Sequence, residues 1–279
     1  MSCQTVPPEP TLDERIDAII ATAGSDATVG VAYLDTATGA TLFRNERVLF
    51  HAASTMKVPV MLAIFEAIDR GELRLDQPIP VRNDFVSILD GSQYSMLAEE
   101  DSDPELYELT GSEAPIENLM RRMIVRSSNL ATNLLIERVG ADRVMTLMRS
   151  LGAGDSRILR GVQDIRAYEA GMNNMVTARD LMLVLRSLEA RNAVSSSASG
   201  RMLEILHAQE FNEGIPAGVP EGVRVAHKTG SITAHYHDAG IVYPPEGEPY
   251  ILVVLTRNVP GDGAEQVVAG ISRAVWQSR

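Results

Sequence analysis

The chain carries one cysteine, Cys3, so it can form no internal disulfide, and zinc sites built from several thiolates are excluded. Basic residues are in short supply: Lys plus Arg is 25 against 37 Asp plus Glu, a formal charge of −12. Such a chain is repelled by phosphate backbones and anionic membrane surfaces, so nucleic acid is not an expected partner. No apolar run approaches the roughly 20 residues that a spanning helix needs. The best, 58–68, contains Pro59 and Glu66 and runs into Asp69. No basic start followed by an apolar stretch is present, so a signal segment is not expected within this chain. Internal repeats are absent as well.

What is present is 279 residues with 45% apolar content, enough for a large core. Residues 1–10, with prolines at 7, 8 and 10, read as a flexible tail. A lone cysteine ahead of such a tail resembles the lipid-anchored start of a mature bacterial lipoprotein, and it reads equally as an ordinary surface cysteine. Thr11 and Glu14 fit a capping box, and Ile16, Ile19 and Ile20 then recur at helical spacing, which predicts a helix over 12–23. Strands are expected at 28–34 and from 41 to 43, and a helix from about 55 to 70 that Gly71 ends. Residues 80–115, with the acidic run 99–105, read as a solvated excursion with little regular structure. Helical patterns follow at 116–126, 129–139, 141–151, 177–190 and 195–206. Strands return at 223–226, 238–243 and 250–256, and a last helix covers 263–276. Strands at both ends and helices between them predict an α+β fold. Residues 11–52 and 219–279 would form an antiparallel sheet flanked by the terminal helices. An all-helical domain, 53–218, would be inserted, with the active site in the cleft between them.

Three short motifs carry chemistry. In Ser54-Thr55-Met56-Lys57 the lysine lies one helical turn beyond the serine, and an amine of lowered pKa can take a hydroxyl proton. Ser127-Ser128-Asn129 falls in a turn between two helical patterns, where a serine can relay a proton and an amide can hold a carbonyl. Lys228-Thr229-Gly230 follows a predicted strand; its cation can hold a carboxylate, and its glycine lets a substrate backbone lie close. Each alone occurs by chance, as a helix surface, a helix cap or a strand end.

Together and in this order, S-x-x-K, S-x-N and K-T-G resemble the class A β-lactamases among the penicillin-recognising serine enzymes, along nearly the whole chain. The resemblance implies a hydrolase that opens β-lactam amides through an acyl-enzyme on Ser54, with no cofactor and no metal. Lys57 and Glu169 would share the proton work, and Ser127 would pass a proton to the leaving nitrogen. The backbone N–H groups of Ser54 and Ser231 would form the oxyanion hole. Asn129 would touch the substrate's side-chain amide, and Lys228, Thr229, Gly230 and Ser231 would line the strand that holds its carboxylate. Glu169 and Asn173 match an E-x-x-x-N pattern whose glutamate activates the deacylating water. Asn133 matches the asparagine that orients this glutamate. His237 falls where many relatives carry an arginine for the substrate carboxylate.

The chain also departs from the pattern. The loop after Asn173 is short, no Arg–Asp pair bracing it can be picked out, and the 80–115 excursion is long. His235, His237 and Asp238 are residue types that can bind zinc, but the sequence shows no further partner, so a structural or substrate-lining role is expected. A monomer exported to the bacterial periplasm or cell surface is expected. The rivals are a D,D-carboxypeptidase or penicillin-binding or esterase-type hydrolase with weak β-lactamase activity, and a non-catalytic binding protein on the same fold.

Overall fold

The computed structural model describes residues 9–260 and 262–279. Residues 1–8, with Cys3 and most of the expected tail, lie outside the described residues.

Five strands form one antiparallel sheet: β1 (Thr28–Asp35), β2 (Thr41–Arg44), β3 (Arg224–Ile232), β4 (His235–Tyr243) and β5 (Tyr250–Arg257), in the order β2-β1-β5-β4-β3. Both chain ends therefore contribute to it, as expected. Nine helices are described: α1 (Leu12–Ala21), α2 (Lys57–Asp69), α3 (Ile116–Val125), α4 (Asn129–Val139), α5 (Ala141–Ser150), α6 (Ile165–Glu169), α7 (Ala178–Glu189), α8 (Ser196–His207) and α9 (Gly263–Trp276). Thr11 and Glu14 do form the capping box of α1. No helix among the described residues is long and apolar enough to cross a membrane.

The two-residue period of the strands sorts their side chains into two cores. One face of the sheet (Val31, Tyr236, Val242, Leu252, Val254) packs with Ile16 of α1 and Val268, Ile271 and Val275 of α9. The other face (Ala32, Ala226, Ala239, Ile241, Val253) continues without a break into the helices. The apolar contacts therefore do not divide at 52/53 or 218/219. At the centre lies α2, buried on nearly every side from Lys57 to Phe65, as a helix apolar all round must be.

Two sequence expectations need correction. First, Lys228 does not end a strand: β3 runs on to Ile232, with Lys228 opposite Ala239, Thr229 opposite Asp238 and Gly230 opposite His237. Second, the acidic run is solvated only in part: Glu99, Glu100 and Glu105 are exposed, but Asp101 and Asp103 are not. Asp103 is buried and binds Arg122 at 2.7 Å and Arg126 at 2.8 Å. Asp101 is buried too; its carboxylate accepts from Asn129 N at 2.9 Å, Leu130 N at 2.9 Å and the Tyr107 hydroxyl at 3.0 Å. Those amides are the first of α4, and Ser128 Oγ accepts from the next, Ala131 N. Helix N-termini leave such amides without partners and attract negative charge. Charge composition announced solvent, but the acids serve as helix caps and ion-pair partners. Asp101→Ala strands two amides of α4, and we expect a loss of about 1–3 kcal/mol, read from urea unfolding.

Candidate active site

The nucleophile turn is built under strain. Residues Ala53–Met56 form a 3-10 turn ahead of α2, and Ala53 takes φ 44°, a left-handed conformation costly for a residue with a Cβ. Four bonds hold it. Ala53 N donates to His51 Nδ1 at 3.1 Å, Ala52 N donates to Asn174 O at 2.8 Å, and the Thr55 hydroxyl donates to Ala52 O at 2.6 Å. His237 Nε2 lies 2.8 Å from His51 O. Burial drives the His51 pKa down to about 4, with His235 and Arg160 adding to the effect, so its ring is neutral and Nδ1 can accept.

Behind Ser54 two lysines converge on one residue. Lys57 Nζ lies 2.5 Å from Ser127 O, 2.9 Å from Asn129 Oδ1 and 3.2 Å from Ser127 Oγ. Lys228 Nζ donates to Ser127 Oγ at 3.0 Å and to Thr229 O at 2.9 Å. Both amines are fully buried. Burial, and then the charge of Lys228, hold the Lys57 amine far below the usual lysine range, against the pull of Asp101. Burial brings Lys228 down to about 7, against the pull of Asp238. A neutral Lys57 donates to Ser127 O and Asn129 Oδ1 and keeps a lone pair to take a proton. Ser127 itself sits at φ 57°, which turns its hydroxyl between the two amines.

The sequence held a signal for this pair beyond the motifs: Lys57 and Lys228 are the only lysines in the chain. Every other basic side chain apart from histidine is arginine, whose charge cannot be tuned, whereas a buried lysine can be neutralised.

β3 is an edge strand, and its free edge faces this turn. A Cβ on Gly230 would come within 3.0 Å of Ser54 N and 3.1 Å of Thr55 N, so glycine lets the strand lie there without pushing the turn back by a few tenths of an ångström. Ser231 follows, exposed, in the wall of a cleft of about 400 Å³ that Ser54, Asn129, His51, Gln163 and Tyr168 also line. That volume suits a small acyl substrate.

Three expected site residues are elsewhere. Glu169 is exposed at the last position of α6 and does not line the cleft. Asn173 does not line it either; its oxygen is 3.3 Å from Arg160 Nη2. His237 is fully buried on the inner face of the sheet, edge-on to Phe50, where it braces the nucleophile turn and cannot reach a substrate carboxylate. Asp238 points to the opposite face of the sheet and bonds His227 at 2.9 Å, so the His235–His237–Asp238 trio does not converge.

Asn133 explains the failure at Glu169. Its oxygen accepts from Val162 N at 2.6 Å and its amide donates to Val162 O at 3.0 Å. Gly161 makes room for it, since a Cβ there would sit 2.2 Å from that oxygen. The position that Asn133 holds against the cleft is thus Val162, an apolar residue, and α6 then carries Glu169 out to solvent. The brace of this loop is Arg160, which donates to Met172 O at 2.9 Å and Gly161 O at 3.0 Å. Asn174 completes it, accepting from Leu159 N at 2.8 Å and donating to Arg160 O at 2.9 Å. Neither was legible in the sequence, because the neutral Asn174 stands where an Asp would complete an Arg–Asp pair and both side chains bind backbone groups.

The lysine pair is directly testable. In protein labelled at lysine, NMR should show two side-chain amine signals, one titrating near 7 and the other well below the usual range of about 10.4. Two ordinary titrations would refute the electrostatic picture.

Residues 11–278 match the model of the β-lactamase enzyme family. The chain is 32% identical in sequence to a β-lactamase from Sphaerobacter thermophilus of known structure, with TM-score 0.79 over 94% of this chain and 95% of that one. It is 26% identical to PBP-A, of known structure, with TM-score 0.82 and 98% of each chain covered. It is 27% identical to a β-lactamase of Streptomyces albus G, covering 91% of this chain and 81% of that one. With a fold and a serine–lysine centre of this kind over nearly its full length, the chain belongs to the β-lactamase enzyme family and is a serine hydrolase of the class A type.

Proposed function

We propose that Ser54 is acylated by β-lactams and that the resulting ester is hydrolysed slowly. Neutral Lys57 takes the Ser54 proton as the hydroxyl attacks the lactam carbonyl. The carbonyl oxygen, now negative, is received by the N–H groups of Ser54 and Ser231, a role supported by the close approach of β3 to the turn. Ser127, linked to both lysines, passes a proton to the departing nitrogen. Lys228, Thr229 and Ser231 hold the substrate carboxylate, and Asn129 its side-chain amide. The reaction needs no cofactor. Loss of the Lys57 proton favours acylation, and loss of the Lys228 proton near 7 weakens the hold on the substrate carboxylate.

The observation that carries slow hydrolysis is Val162. By the family resemblance Asn133 holds the glutamate that activates water, and here it holds a valine while Glu169 faces solvent. The same observation favours a second reading, a D,D-peptidase-like enzyme that β-lactams inhibit by lasting acylation. A variant of PBP-A, a relative by structure, is known as an acyl-enzyme complex with penicillin G. Both readings put the protein outside the bacterial cytoplasm, where such substrates lie. A non-catalytic binding role is disfavoured by the buried lysine pair, which costs stability and is pointless without chemistry.

Mass spectrometry after mixing with benzylpenicillin tests this. A penicilloyl adduct should form on the parent and be absent from Ser54→Ala. Glu169→Ala should change its lifetime by no more than about twofold, as surface substitutions do. Val162→Glu should shorten it by restoring a carboxylate at the position held by Asn133. No adduct with the parent would sink the proposal, and a long-lived adduct only in Glu169→Ala would restore Glu169 as the base.

A further inference from the structure

Three charged side chains line the cleft, Glu100, Arg160 and Asp164, with His51 held neutral beside them. Arg160 is committed to the carbonyls of Met172 and Gly161, and Asp164 to Ser87, Ile88 and Ala167. Glu100 is the one whose carboxylate meets no donor among the described residues, and it is exposed, so a ligand can reach it. A free carboxylate in the wall of a binding cleft favours a positive group there, and a partly enclosed pair is screened less than one in open water.

The chain that follows sets its position. Glu100 closes a short 3-10 turn, Ala98–Glu100. The next two residues are tied to the segment that carries Asn129. Asp101 accepts from Asn129 N and Leu130 N, each at 2.9 Å, and the Ser102 hydroxyl donates to Arg126 O at 2.6 Å. Glu100 and Asn129 therefore share one anchor as well as one cleft. The basic groups around this anchor are engaged elsewhere: Lys57 with Ser127 and Asn129, and Arg126 with Asp103 at 2.8 Å and Glu105 at 2.6 Å. Among the described residues no three metal-ligating side chains converge, so Glu100 lacks the companions that a metal ion needs, and an organic cation suits it better.

We propose that Glu100 receives an ammonium group on the acyl side chain of the substrate and makes the site selective for substrates that carry one. This rests on the reading of Ser54 as the acylated residue and of Asn129 as the partner of the side-chain amide. A group carried just beyond that amide enters the stretch of wall that Asn129 shares with Glu100, while the substrate carboxylate lies on Lys228. The favoured substrate thus has a negative end and a positive one, matched by a lysine and a glutamate of the same cleft.

The experiment measures acylation rates by mass spectrometry at about pH 6, where an α-amino group and Lys228 are both protonated. Three penicillins serve as probes: ampicillin, with an amine on its acyl side chain, benzylpenicillin, with no charge there, and carbenicillin, with a carboxylate. Each variant's rate is divided by the parent's for the same drug, which removes differences in intrinsic reactivity. Glu100→Gln should slow ampicillin about threefold relative to benzylpenicillin and speed carbenicillin relative to it, as loss of one partly exposed ion pair would. Glu100→Arg reverses the charge and should widen both differences. In the parent, added salt should slow ampicillin more than benzylpenicillin. A merely structural fault would slow all three drugs alike. Equal changes across the three drugs in both variants would overturn the role of Glu100 while leaving Ser54 acylation intact. Absence of acylation in the parent would overturn the underlying reading and this proposal with it.

Discussion

Two buried amines meeting at one hydroxyl set the terms for the rest of the molecule. Lys57 and Lys228 both reach Ser127 Oγ, and neither is exposed to solvent. Two ammonium ions cannot share such a place cheaply, because burial penalises each charge and each penalises the other. The arrangement resolves this by asymmetry. Burial and the neighbouring charge of Lys228 push the Lys57 amine far below the usual lysine range, toward the neutral form that the proposed base role needs. Lys228 has Asp238 beyond the sheet to support its charge and stays near the midpoint of its titration at neutral pH. One amine is thereby fitted to take protons and the other to hold an anion, from the same side-chain type.

Backbone strain accompanies that pair. Of the seven non-glycine residues at positive φ among those described, Ala53, Ser127 and Gln163 stand at the cleft or just behind it. The surrounding structure over-determines every one of them. Ala53 is held through His51, Asn174 and His237; Ser127 lies between the capped start of α4 and two lysines; Gln163 follows a valine clamped by Asn133. Rigid supports of this kind keep a constellation within the tolerance that chemistry demands.

Sequence made the acylating half of the site legible because its parts are side chains in short motifs. Ser54, Lys57, Ser127, Asn129 and the K-T-G strand were placed by residue type and spacing, and the strands at either end predicted the sheet. The loop from 160 to 174 was opaque for a physical reason. Asn133 binds the backbone of Val162, and backbone groups are the same whatever the residue, so no pattern of letters says which position it will choose. The E-x-x-x-N match then fell on Glu169, one short helix too far along. Counting along β4 did land on His237, but position in a strand fixes which face a side chain takes, not what covers that face, and here Phe50 does. The acids at 101 and 103 misled in the opposite direction: composition registers charge, whereas the arginines of α3 and the open amides of α4 decide whether that charge is buried.

The two halves of the reaction consequently rest on different supports. Acylation draws on α2, α4 and β3, elements fixed by the main apolar core and by buried ion pairs. By the proposed mechanism, hydrolysis draws on a loop secured by hydrogen bonds from Asn133, Asn174 and the Arg160 guanidinium to backbone groups. Bonds to backbone are indifferent to the side chains of the residues they secure. The loop can therefore keep its path while Val162 changes chemical character. On the proposed reading the persistence of the ester turns on the side chain at position 162, separable from the machinery that forms it, and the distance between an enzyme that destroys β-lactams and one that they inhibit is correspondingly short.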